Sequence, residues 1–81
     1  MKILVHVKLF VTLRRYYPKL GIGEAMPVEL DDGSTVADLI EHLRLPADIV
    51  RVVFVDGVVR GEDHLLTDGD EVNLFPPVGG G

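Results

Sequence analysis

The 81-residue sequence contains no cysteine and no tryptophan. Without cysteine there is no disulfide staple, no thiolate metal site and no thiol nucleophile, and the absence fits an expected cytoplasmic location. No apolar run approaches the roughly 20 residues that a membrane-spanning helix needs, so no membrane partner is expected. The opening "MKILVHVKLFVTL" is basic and apolar in the manner of a secretory leader. Lys8 interrupts it, however, and no small-residue cleavage site follows.

Positive charge is scarce after the start. Lys2, Lys8, Arg14, Arg15 and Lys19 stand among the first residues with no acid between them. All 13 acids follow, against Arg44, Arg51 and Arg60, and the net charge is −5. Five dispersed cations read as solvated positions of a strand and a helical turn, and an acidic body lacks the basic footprint that nucleic-acid binding requires. What is present supports a core: 47% of residues are hydrophobic and 26% charged, far from a disordered composition. The length predicts one domain, near the lower limit of what folds without staples.

Period-two alternation in "KILVHVKLF" predicts a half-buried strand, with Ile3, Val5, Val7 and Leu9 on one face and Leu4, His6, Lys8 and Phe10 on the other. "TLRRYYP" predicts a helical turn ended by Pro18, "KLGIGEA" a connector and "MPVELD" a second strand. In "STVADLIEHLRLP", Thr35 and Asp38 have capping-box spacing, and Val36, Leu39, Ile40 and Leu43 make the stripe of the main helix before Pro46. "ADIV" reads as a further turn. "RVVFVDGVVRG" reads as a hairpin about Asp56-Gly57, and "EVNLF" as a last strand stopped by Pro76. Leu65 and Leu66 are both expected to plug the core. One helix for about five strands predicts an α+β layer pair, with the first and last strands side by side and parallel.

Catalytic patterns are missing. His6, His42 and His64 fall on different elements without ligand spacing, so they read as ordinary histidines and no metal is expected. "TDGDE" lacks the spacing of a calcium loop and reads as a tight turn. Gly21 and Gly23 are not followed by the residues of a phosphate loop. No nucleophile–base pair is evident, and so small a core leaves little room for a deep pocket.

Two features remain. If Leu9 and Leu74 face the helix, alternation puts Phe10 and Phe75 on the open face, where Phe54 joins them as a candidate partner surface. The alternative is that these rings merely cover the sheet edge. The second feature is the ending "FPPVGGG". Pro76 and Pro77 favour an extended start, and six residues reach about 20 Å. Gly79, Gly80 and Gly81 lack Cβ atoms and suit a channel too narrow for side chains. The expected division is a domain over 1–75 and a flexible tail over 76–81.

"LLTDGDEVNLFPPVGGG", Leu65 to Gly81, resembles the ending of the small subunits of molybdopterin synthase, a family of ubiquitin-like sulfur carriers. "LFVTLR" and "GSTVADLI" are similar to the family's first-strand exit and helix start. Arg15, where an acid is common, and the long connector "YYPKLGIGEAM" depart from the pattern; "VGGG" also occurs in the related thiamine-thiazole carriers.

The resemblance implies a β-grasp fold, a mixed sheet of about five strands on one main helix. It also implies that the Gly81 carboxylate is adenylated by an ATP-using partner and converted by a sulfur donor to a thiocarboxylate. The sulfur would then pass, in the large synthase subunit, to the dithiolene of the molybdenum or tungsten cofactor. No stably bound cofactor is implied, and the chain alone is not catalytic. On this resemblance Gly80 and Gly79 supply clearance, Val78, Pro77 and Pro76 set the tail's direction, and Phe75, Phe10 and Phe54 anchor the partner. Three alternatives stay open: a thiamine-type carrier, a modifier conjugated through Gly81, and a binding module with an inert tail.

Overall fold

The alternation in "KILVHVKL" becomes strand β1 (Lys2–Leu9), with Ile3, Val5, Val7 and Leu9 buried. The computed structural model describes residues 1–77. The expected tail residues Val78, Gly79, Gly80 and Gly81 lie outside the described residues.

After β1 a 3-10 helix, Val11–Tyr16, drops Leu13 into the core, and a connector leads to β2 (Met26–Asp31). Tyr17 pins that connector, donating its hydroxyl to the Leu43 carbonyl at 2.9 Å. The main helix α1 (Val36–His42) begins at the predicted capping box. Asp38 donates its N–H to Thr35 Oγ1 (3.2 Å), and Thr35 donates its own to Asp38 Oδ2 (2.9 Å), satisfying donors that the helix start leaves unpaired. The helix ends in a Schellman arrangement: Arg44 turns left-handed (φ 59°), Arg44 N–H donates to Glu41 O and Leu45 N–H to Ile40 O. A second 3-10 turn, Ala47–Ile49, leads to β3 (Val52–Val55) and β4 (Val58–Val59). Their turn is Asp56-Gly57, both at positive φ, the combination that matches the twist of a two-residue hairpin. β5 (Glu71–Phe75) closes the domain.

The sheet order is β2-β1-β5-β3-β4. β1 and β5 are parallel, and the other neighbours are antiparallel. Helix α1 covers one face, packing Val36, Leu39 and Ile40 onto Val5, Val7, Val53, Val55, Val72 and Leu74 in one core. This is the ubiquitin-like β-grasp expected from the resemblance.

One expectation fails. Leu66 is buried, but Leu65 is 59% exposed. The segment is extended: Leu66 N–H donates to Ser34 O, and Leu65 bridges to Thr35. Successive side chains of extended backbone point oppositely, so only one of two adjacent leucines can enter the core.

"TDGD" is a tight turn that also clasps β1. The buried Asp70 carboxylate accepts from Thr67 N–H (2.8 Å) and from the Thr67 hydroxyl (2.9 Å). Asp68 Oδ1 accepts from Leu4 N–H at 2.7 Å, Leu4 O accepts from Gly69 N–H, and Asp70 O accepts from His6 N–H. With φ at 89°, Gly69 adopts a conformation that L side chains resist. The clasp thereby places β5 beside β1.

Candidate functional site

With the odd-numbered β1 residues facing the helix, the even-numbered ones stand on the uncovered face. The same parity puts Asn73 and Phe75 of β5, and Val52 and Phe54 of β3, on that face, because Val72, Leu74, Val53 and Val55 are buried. The three phenylalanines thus come together from three regions of the chain. Phe10 and Phe75 lie nearly parallel, 4.4 Å between centroids and 8° between planes. Phe54 meets Phe75 edge-on at 5.6 Å and 73°. Offset and edge-to-face contacts both suit the ring quadrupole. All three rings are half-buried, leaving part of each available at the surface.

The strand pairing widens this patch. Val52 stands opposite Phe75, and Val59, 61% exposed, stands opposite Phe54. Val59 was a legible member that the sequence analysis missed: in a two-residue hairpin about Asp56-Gly57, residue 54 must pair with residue 59. Val52 depended on β3 lying next to β5, which no local pattern announces.

The same residues hold the root of the tail. Phe10 N–H donates to Leu74 O at 3.1 Å, and Arg51 N–H donates to Phe75 O at 2.9 Å. Neighbours on both sides therefore clamp β5 to its last residue. Pro76 has no N–H with which to extend the ladder; it is half-buried, and Pro77 is exposed. Among the described residues the chain leaves the sheet here, beside the aromatic patch. Val78 and the three glycines, Gly79, Gly80 and Gly81, lie outside the described residues.

Polar groups occupy the far end of the open face. Lys2 Nζ donates to Asp31 Oδ1 at 2.6 Å. That hydrogen bond, with the attraction behind it, raises the Lys2 ammonium above its ordinary value and lowers the Asp31 carboxyl below its own. An open depression of about 510 Å³ adjoins this pair, lined by Glu29, Asp31, Asp32, Asp38 and Glu41. It includes none of the phenylalanines. His6, His42 and His64 stay apart, on β1, at the end of α1 and in the loop before β5.

Comparison with known proteins gives concordant matches. The model of the ThiS family matches residues 7–81. The molybdopterin synthase sulfur carrier subunit of Escherichia coli (strain K12) is 40% identical over 58 residues, covering 62% of this chain and 72% of that protein. A Pyrococcus furiosus structure assigned as molybdopterin converting factor, subunit 1, superposes with a TM-score of 0.73 at 29% identity, covering 94% of this chain and 99% of that one. Small archaeal modifier protein 1 of Haloferax volcanii gives a TM-score of 0.72 at 25% identity, again covering 94% and 99%.

Proposed function

The chain belongs to the ThiS family, and from that premise we propose that it is the sulfur-carrier subunit of a molybdopterin synthase, loaded at Gly81. The observation that carries this reading is the clamped exit of β5. The ladder holds the chain through Phe75 and lets it go at Pro76, beside an uncovered aromatic patch. Likeness to the E. coli carrier subunit supports the synthase, and with it a large-subunit partner.

A carboxylate resists nucleophilic attack because the attack adds negative charge to an anion. In the proposed cycle an adenylating partner lets the Gly81 carboxylate attack the α-phosphorus of ATP, and pyrophosphate leaves. Hydrosulfide, or a donor of sulfur at the same oxidation level, then attacks the activated carbonyl carbon, AMP departs, and loss of the sulfur's proton leaves a thiocarboxylate. Its sulfur is ionised near neutral pH and nucleophilic, as thiolates are. In the large subunit the sulfur attacks a pterin precursor and displaces an oxygen leaving group. Water then cleaves the acyl–sulfur bond, leaving the sulfur on the pterin and returning the carboxylate. In this cycle the chain positions one acyl group, Gly79 and Gly80 provide clearance, and Pro76, Pro77 and Val78 aim the tail.

The test is intact mass with fragmentation after incubation with the adenylating enzyme, ATP and a sulfur source. Oxygen-to-sulfur exchange confined to the last peptide is expected. Fragmentation is required because oxidation of Met1 or Met26 adds nearly the same mass. Gly81→Ala should fold normally and lose turnover. Cofactor synthesis undiminished by removal of Gly80 and Gly81 would end the proposal.

The likeness to small archaeal modifier protein 1 favours a second reading, conjugation of Gly81 to lysines of other proteins. Isopeptide-linked remnants on cellular lysines, without the sulfur exchange, would select it.

A further inference from the structure

Among the described residues, three other than glycine have positive φ: Val11 (54°), Arg44 (59°) and Asp56 (51°). Two occupy places that require it. Arg44 closes a helix, and Asp56 opens a two-residue hairpin turn. Val11 is the β-branched one, for which this region is a true outlier. The chain must turn there: Phe10 is still extended (φ −118°, ψ 150°) and bonded to β5, while Leu13 must return to full burial. One left-handed residue makes that turn, and Gly or Asn would make it with less strain. The side chain brings the free fold little in exchange, since Val11 is 70% exposed. It directly follows Phe10, whose ring lies on Phe75 at the root of the tail.

We propose that Val11 is an anchoring contact for the large synthase subunit, its apolar side chain held outward by the left-handed turn and buried when the tail is seated. This rests on the synthase reading above. The occupant follows from reach: the six residues from Pro76 span about 20 Å at most. A subunit that draws the last carbonyl into an active site must therefore close over the rim formed by Phe10, Val11 and Phe75.

The test is binding of the full-length chain to the purified large subunit by calorimetry, alongside melting temperatures. Val11→Asn and Val11→Gly should each weaken binding about tenfold or more, the scale expected for one apolar side chain left unburied. Melting temperatures should stay level or rise. Ile22→Asn, which replaces an 86% exposed apolar residue of the connector, should bind like wild type. Unchanged affinity in both Val11 variants would overturn the inference. So would equal loss at Ile22, or a loss of affinity accompanied by falling melting temperatures, which would mark Val11 as structural. If wild type itself does not bind, the synthase reading fails and this inference falls with it.

Discussion

Phe10 and Phe75 lie with their ring centroids 4.4 Å apart and nearly parallel, although one directly follows the first strand and the other ends the last. The contact ties the exit of β1 to the root of the tail. A double-mutant cycle with Phe10→Ala and Phe75→Ala should give a coupling energy of about 0.5–1.5 kcal/mol. Each single change should cost on the order of 1–3 kcal/mol, since the rings are half-buried. Denaturant unfolding of the four proteins measures this, and additive effects would show that the rings do not support each other.

Asp70 holds its loop through two oxygens, both bonded to Thr67. Asp70→Ala removes both acceptors and leaves the Thr67 N–H and hydroxyl without these partners, at a cost of about 1–3 kcal/mol. The melting temperature should fall by about 4–8 °C per kcal/mol. The Leu4 and His6 amides, both bonded to this turn, should exchange hydrogen faster. A melting temperature matching wild type would show the clasp to be dispensable.

Arg44 occupies the left-handed position after α1. Arg44→Gly should raise stability by about 0.5–1 kcal/mol, because glycine adopts that conformation without a Cβ clash. Thermal unfolding checks the sign; a decrease would mean that the cation's interaction with the helix end outweighs the backbone strain.

The Lys2–Asp31 pair sets a pH dependence whose sign can be worked out. The Asp31 carboxyl is lowered, so its contribution is present above the ordinary carboxylate value and disappears as pH falls through the lowered one. Lys2 is raised, so its contribution is present below the ordinary lysine value and disappears as pH rises through the raised one. Both side chains are well exposed, which makes the effect small and screened by salt. Asp31→Asn should lower the melting temperature slightly at neutral pH, and not at all in molar salt or in strong acid. A difference that persists in molar salt would point to a cause other than charge.

Much of the fold was legible because local periodicity carries it. The Thr35–Asp38 capping box, the α1 stripe and the Asp56-Gly57 turn each depend on residues within a few positions of one another. The aromatic patch was half legible: parity assigned Phe10 and Phe75 to one face, while Phe54 waited on the register of β3 against β5. Leu65 was misassigned because two adjacent leucines look equally apolar in sequence, and the bridge to Thr35 decides which one turns inward. The left-handed Val11 left no trace in composition or spacing.

By itself, then, the order of residues determined which segments are strand, helix or turn, which faces are apolar, and that the chain ends in proline and glycine. The tertiary structure decided which strands are neighbours, where the rings meet and at which residue the ladder releases the tail. The physical reason is range. Alternation, caps and turns arise from neighbours along the backbone, whereas register and strand order arise from one shared core, to which distant segments must fit together.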